Sequence, residues 1–306
     1  MIRPRAVAVL LALGCLLGLS SAARPAVTAN AVPANASPAG LVWQIDGPKG
    51  RVYLAGSMHL LRRDRPALPP AIDAAYREAE SLVMEIDADA ADEQQMAALM
   101  LRTSSFTDGR SLPLVAGEDR WKIVSGLLAK AQVPEAFAAS LEPWGVTILL
   151  TTLEYARLGF DPELGVEKQL QQRAARDHKE IDGLETAEFQ LSLLDSLPLA
   201  EQLQLLDLTL AELDDMPSMV DDLYAAWRSG DIRRLDELLL EGYRETPKLY
   251  DDLVDRRNRN WVPQVKALLE RDEDTLVVVG ALHLVGERGL IALLEREGLR
   301  PRPYRP

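Results

Sequence analysis

Cysteine is nearly missing from this chain. The one copy, Cys15, lies in the apolar run of residues 6–19 that follows Arg3 and Arg5. That run is too short to span a bilayer, and Ser20-Ser21-Ala22-Ala23 after it supplies the small residues of a cleavage site, so residues 1–23 read as a secretory signal peptide. The expected product is exported, either periplasmic or secreted, and contains no cysteine. Disulfides and thiolate ligands are thereby excluded, and any metal rests on histidine, carboxylate or water. Lipid anchoring through Cys15 is the minor alternative, because Ala12-Leu13-Gly14-Cys15 begins on a small residue where a lipobox has a larger aliphatic. No transmembrane helix is expected in the mature chain.

Positive charge is also scarce: 34 Lys and Arg stand against 47 Asp and Glu, a formal net charge of −13. Losing Arg3 and Arg5 with the leader makes the balance more negative still. A chain so acidic has no electrostatic route to nucleic acid or to an anionic membrane, and its carboxylates belong mostly to solvated helix faces. Residues 24–40, rich in Ala, Pro, Asn and Ser without an amphipathic period, read as a disordered linker. The remainder, 41–306, suits one α/β domain with a central mixed sheet and a large, mostly helical insertion. Strands are expected at 41–46 and 51–55, paired as a hairpin across Gly47-Pro48-Lys49-Gly50, and at 82–87, 180–184 and 276–280. Helices are expected at 68–79, 91–102, 117–130, 143–158, 162–177, 199–213, 217–229, 232–243, from 250 onward, and at 286–296, with Gly298 capping the last and a tail or edge strand after it.

Histidine occurs only three times, and two of the three mark a repeat. Val52-Tyr53-Leu54-Ala55-Gly56-Ser57-Met58-His59-Leu60 and Leu276-Val277-Val278-Val279-Gly280-Ala281-Leu282-His283-Leu284 match at Gly, His and the following Leu, while most other positions stay apolar. Each copy reads as a buried strand ended by a glycine that lets the backbone turn sharply, with a histidine three residues on. Open α/β sheets bind ligands beyond the carboxyl ends of their strands, which is where His59 and His283 fall. A lone histidine after a strand is an ordinary structural residue; two at equivalent points of a repeat are a candidate site. The third, His178, sits at the polar C-terminal end of a helix, where a cation complements the dipole, and has no expected role in the site.

Glu85 interrupts the apolar run Leu82-Val83-Met84-Glu85-Ile86-Asp87 near its carboxyl end, where a buried carboxylate needs a partner. On the helix from Tyr250, a 100° period puts Tyr250, Leu253, Val254 and Trp261 on one stripe with Arg257 in its middle, and turns Arg259 away. An arginine on a buried stripe needs an anion: Glu85, another carboxylate or a substrate. A structural ion pair explains Arg257 as well as a catalytic role does. Pro263 should kink or end this helix.

Together the paired Gly-x-x-His units, the Leu-Val-x-Glu strand and Arg257-Asn258 ahead of the second unit resemble the TraB/GumN family, related to the Tiki metalloproteases, from about Leu41 onward. Gly165-Val166-Glu167 and Gly183-Leu184-Glu185-Thr186, with Gln190 following, also resemble family positions, making Glu167 and Glu185 second-rank candidates beside Gly56 and Gly280, although a surface helix or loop suits each glutamate taken alone. The resemblance implies a metal-dependent hydrolase, peptidase-like, acting on a peptide or protein. His59, His283 and Glu85 form a plausible three-ligand set for zinc or manganese, with Arg257 stabilising a developing oxyanion and Asn258 beside it. No His-Glu-x-x-His helix is present. Two alternatives stand: a metal-independent hydrolase with His59 or His283 as general base and Glu85 orienting it, as the more distant erythromycin esterase relatives imply, and a non-enzymatic protein that binds a peptide or a metal complex.

Overall fold

The computed structural model describes residues 41–86, 93–243 and 246–306. The expected leader and linker, Asp87 at the end of its strand, and Ala91 and Asp92 at the start of their helix lie outside the described residues.

In chain order the strands are β1 (Val42–Asp46), β2 (Arg51–Ser57), β3 (Leu61–Arg62), β4 (Ser81–Ile86), β5 (Phe160–Asp161), β6 (Ile181–Glu185), β7 (Thr275–Gly280) and β8 (Arg302–Pro303). The helices are α1 (Pro70–Glu78), α2 (Glu93–Thr103), α3 (Leu112–Ala116), α4 (Glu118–Lys130), α5 (Glu135–Ala139), α6 (Pro143–Arg157), α7 (Val166–Asp177), α8 (Ala187–Asp195), α9 (Leu199–Glu212), α10 (Met216–Ser229), α11 (Ile232–Glu241), α12 (Pro247–Tyr250), α13 (Arg256–Leu268) and α14 (Leu290–Arg296).

Six strands form one mixed sheet in the order β6-β4-β7-β2-β1-β8, so the fold is α/β with a helical insertion. β1 and β2 make the expected antiparallel hairpin, and β7 lies parallel to both β2 and β4. β6 continues the parallel set beyond β4, and the C-terminal tail closes the other edge as β8, antiparallel to β1. Every residue of β4 and β7 is buried, as strands covered on both faces require, and in β4 that burial takes in Glu85, the charge that interrupts its apolar run. The consequence for function is alignment: β2, β7, β4 and β6 all run the same way and their carboxyl ends come out side by side.

Most of the buried apolar side chains form one core around this sheet. A smaller cluster, centred on Leu112, Val124, Leu128, Leu141 and Val146, belongs to α3 through α6 and reaches Leu206 of α9. α6 joins the two, with Trp144, Ile148 and Tyr155 in the main core and Val146 and Leu150 in the smaller one. That division explains a helix that is apolar nearly all round.

Several local expectations change. The helix expected over 162–177 is broken at Gly165 into a 3-10 turn (Pro162–Leu164) and α7. A side chain at Gly165 would strike the carbonyl oxygen of His59, so this glycine is what lets the segment press on the chain after β2. The helix from Tyr250 is interrupted earlier than Pro263, by a π-helical turn over Asp251–Asp255, and α13 then runs through Pro263 to Leu268. α3, α5 and α8 have no counterpart among the expected helices; α3 and α5 are each a single turn or little more, too short for periodicity to register.

Candidate functional site

Glu85 is the penultimate residue of β4 and is buried, at 2% exposure. Its Oε1 accepts the backbone N–H of Gly280 at 2.7 Å, which ties the end of β4 to the end of β7. Its Oε2 accepts Arg257 Nη2 at 2.5 Å and Gln190 Nε2 at 3.1 Å.

Arg257 is fully buried on α13, on the predicted stripe with Tyr250, Leu253, Val254 and Trp261, whereas the Arg259 side chain is 62% exposed. The predicted anionic partner turns out to be two carboxylates. Arg257 Nε donates to Glu185 Oε1 at 2.7 Å, and Nη2 is shared between Glu85 and Glu185. Nη1 donates to the Leu253 carbonyl and to His283 Nε2, both at 3.1 Å. The guanidinium also lies over the Trp261 ring at 4.8 Å. The π-helical turn shifts the hydrogen-bond pattern of the preceding residues, with Arg256 N bonding back five residues to Asp251 O, and the Leu253 carbonyl receives the arginine's own side chain. All five N–H donors of Arg257 are therefore occupied within the protein. Binding an oxyanion, the role expected from the sequence, would require Arg257 to give up one of these bonds.

The same bonds fix His283, which leaves β7 on a 3-10 turn (Ala281–His283) and is completely buried. Arginine only donates, so Nε2 is the acceptor and the proton sits on Nδ1, which donates to Asn258 Oδ1 at 2.7 Å. Asn258 is held by its own amide, which donates to the carbonyls of His283 and Arg288.

His59 is held differently. Its Nδ1 lies 3.0 Å from Glu167 Oε1, an atom that also accepts the hydroxyl of Ser57. Glu167 stands in the first turn of α7, buried rather than on a surface helix, and is delivered there by the Gly165 contact and by Val166 N donating to the Met58 carbonyl at 3.1 Å. The carboxylate fixes the imidazole with its proton on Nδ1 and turns Nε2 inward.

The two glycines of the repeat do not serve sharp turns, as the sequence reading had them. Gly280 has φ −52° and ψ 140°, open to any residue. What matters is its missing side chain: a Cβ there would lie 3.4 Å from Glu85 Oε1, 3.6 Å from His59 Nε2 and 3.7 Å from His283 Cδ2. The carboxylate and both imidazoles thus surround one small space above Gly280. Gly56 serves packing instead. A Cβ there would collide with the side chain of Leu41 and crowd Leu284, and its carbonyl accepts Trp227 Nε1 at 2.8 Å.

Burial pushes the Glu85 carboxyl up, but the Arg257 charge, the two histidines and the Gly280 N–H outweigh it and hold it at about 2. Burial and the same arginine push His283 down to about 3, so it is neutral. Glu185 moves the other way: its burial and the neighbouring Glu85 charge exceed the pull of Arg257, and its carboxyl is raised. Arg257 stays charged, its burial opposed by the two glutamates.

The sequence candidates therefore converge, with His59, Glu85, Glu167, Glu185, Arg257, Asn258, His283 and Gly280 in one network and only Gly56 outside it. His178 is exposed at the end of α7, as expected. Ser57 and Trp261 were not singled out for the site. Ser57 sits opposite Gly280 in the sheet, and Trp261 donates to Glu185 Oε2 at 3.2 Å and packs on His283 at 4.5 Å. The Arg257 stripe already contained Trp261; nothing in the sequence marks Ser57 apart from its place inside the first repeat.

The expected divalent cation is a poorer match to these residues than the convergence implies. His283 Nε2 and Glu85 Oε1 are 3.8 Å apart, but the Nε2 lone pair already takes an N–H of Arg257, whose charge also rests on Glu85. Among the described residues no group of three His, Cys, Asp or Glu side chains is gathered so as to hold a metal ion. As arranged, the set does not fit a metal, and a guanidinium takes the cation's place.

Comparison with known proteins shows the family of the chain. The chain is 26% identical over 242 residues to the uncharacterized protein YbaP of Escherichia coli (strain K12), covering 79% of this chain and 87% of that one, and matches the Shigella flexneri protein of the same name equally. No solved structure matches significantly. The family model described as TraB/PrgY/gumN matches residues 41–303, which include both Gly-x-x-His units and every residue of the network, and the chain belongs to that family.

Proposed function

We propose that the chain is an exported hydrolase of peptide bonds whose reaction centre is the space above Gly280. The observation that carries this reading is the His59–Glu167 pair. A carboxylate 3.0 Å from Nδ1 orients the imidazole and leaves Nε2 directed at a space bordered by an ionised carboxylate and a neutral histidine. In that role His59 takes the proton of an attacking water and returns it to the leaving amine, with Glu167 stabilising the imidazolium between the two transfers. Glu85, Arg257, Asn258 and His283 position and polarise the site: the arginine keeps Glu85 charged and His283 neutral, and Asn258 fixes the His283 tautomer. Export rests on the leader sequence, and the mature N-terminus should lie near residues 22–24.

A metal-dependent version is the second reading, and it rests on donor type alone, two histidines and a glutamate around Gly280 being of the kind that zinc or manganese takes, since their arrangement does not fit an ion. It requires Arg257 to give up its bond to His283. One experiment separates the readings. The purified protein is analysed for bound metals and incubated with a peptide library, with and without a chelator, beside His59→Ala and Glu167→Gln. Chelator-resistant turnover that is abolished in His59→Ala and reduced by about 10²–10⁴ in Glu167→Gln supports the general base. Turnover that vanishes with the chelator and returns with zinc or manganese supports the metal. No turnover of any peptide leaves a binding protein.

A further inference from the structure

β6 is the outer strand of the six-stranded sheet, and its free side borders a cleft of about 970 Å³. The pairing with β4 fixes which backbone groups face that side. Leu82 N donates to the Glu180 carbonyl at 2.9 Å, and the parallel register Leu82↔Ile181, Met84↔Gly183, Ile86↔Glu185 directs the backbone groups of the even-numbered residues of β6 at β4. In a parallel ladder this leaves the N–H and C=O of Ile181, Gly183 and Glu185 pointing outward. Gly183 is exposed and carries no side chain to fend off an approaching chain. Its apolar lining includes Met96 and Leu99 of α2 and Ala267 and Leu268 of α13. Glu185 is part of its lining and also holds Arg257.

We propose that this cleft binds an extended peptide as an added strand along β6, and so delivers a substrate chain to the edge of the Arg257 network. The choice of a peptide rests on the hydrolase reading; the mode of binding rests on the edge. A row of backbone donors and acceptors repeating every second residue recognises another extended backbone, and the apolar walls take alternate side chains. A second copy of this chain is the other occupant an open edge invites. Residues of α2 and α13 line the cleft together with β6, so an occupant meets helix side chains beside the edge, which suits a single extended chain; pairing between two copies is the outcome that the concentration dependence below detects.

The test uses the His59→Ala protein, a library of N-acetylated octapeptides, and the best binders resynthesised singly. Binding should slow amide exchange at Ile181, Gly183 and Glu185. N-methylation of the peptide at alternate residues should weaken it by about tenfold at each hydrogen-bonded position, with little effect between them. Gly183→Pro removes one outward N–H at a position where an edge strand tolerates proline, and should lower affinity by a similar factor with little change in melting temperature. Should that variant fail to fold, the N-methyl series still decides. Protection with the alternating pattern, even where wild type does not cleave the peptide, upholds the groove while removing the hydrolase reading. Cleavage by wild type without protection of β6 overturns the groove and leaves the hydrolase. Absence of any binder, or protection of the same amides that depends on protein concentration alone, also overturns it.

Discussion

Arg257 has four partners and no N–H to spare, which makes its replacement a test of positioning. Arg257→Lys keeps the charge but offers one nitrogen where the network uses three, so Glu185 or Glu85 loses its bond and His283 loses its donor. Stability should fall by about 3 kcal/mol, in the range for breaking a buried ion pair, and turnover should fall with it. Arg259→Lys, on the solvent side, should change neither; calorimetry and a turnover assay on both variants check this. His283 offers a second test, through pH. Its folded value near 3 lies below the ordinary 6.5, so below about pH 6.5 the unfolded chain binds a proton that the folded chain refuses, and stability declines as pH falls from there towards 3. Glu85, held near 2, extends the decline below about pH 4.5, while the raised Glu185 opposes part of it. A denaturation series should show this acid slope, and His283→Gln should flatten its portion between about pH 6.5 and 4.5. An unchanged slope would mean that His283 is not the group refusing the proton. The residues of this network were legible in the sequence because each broke a local rule: a charge in an apolar run, an arginine on a buried stripe, a rare residue repeated. Their bonds were not legible. Whether Arg257 faces a substrate or is saturated by Glu85 and Glu185 depends on where β6 and α13 meet, and no spacing along the chain encodes that.

Among the elements, the parallel pair β2 and β7 does most to build the site, and it was readable because its two strands are near copies with buried faces. The register between the copies was not: Gly280 pairs with Ser57 rather than Gly56, which sends one glycine to the site and the other to the packing under Leu41. The π-helical turn before α13 was equally hidden, since a single inserted residue barely alters an apolar stripe. Pro263 marks where expectation and structure part most clearly. It is exposed in the interior of α13, which continues past it for another turn. A helix bears this residue at a cost of about 3 kcal/mol relative to alanine. Pro263→Ala should therefore raise stability by about 1–3 kcal/mol in a urea titration, with turnover preserved. A loss would show that the local bend is needed to seat Gln264, which donates to the Leu184 carbonyl of β6 at 3.2 Å.

At the scale of the whole molecule, one sheet gathers residues from opposite ends of the chain: His59 follows β2, Glu85 is the penultimate residue of β4, and His283 follows β7. The chain between β4 and β7 supplies Glu167 from α7, Glu185 from β6 and Gln190 from α8, so the helical insertion and the strand within it contribute to the candidate site. No helix among the described residues is long and apolar enough to cross a membrane. Export makes its own expectation at this scale: mass spectrometry of the protein from its native host should find an N-terminus near residues 22–24, and an intact Met1 would contradict it. The central claim, that chemistry takes place above Gly280, is tested most directly by filling that space. Gly280→Ala suits the backbone and places its methyl at ordinary contact distance from Glu85 and His59, so the fold should be undisturbed. The measurement is peptide turnover by this variant beside its melting temperature. An unchanged melting temperature with turnover reduced by about 10²-fold or more is the expected result, since small misplacements at a reacting centre cost that much. Wild-type turnover with the methyl in place would show that the reaction happens elsewhere.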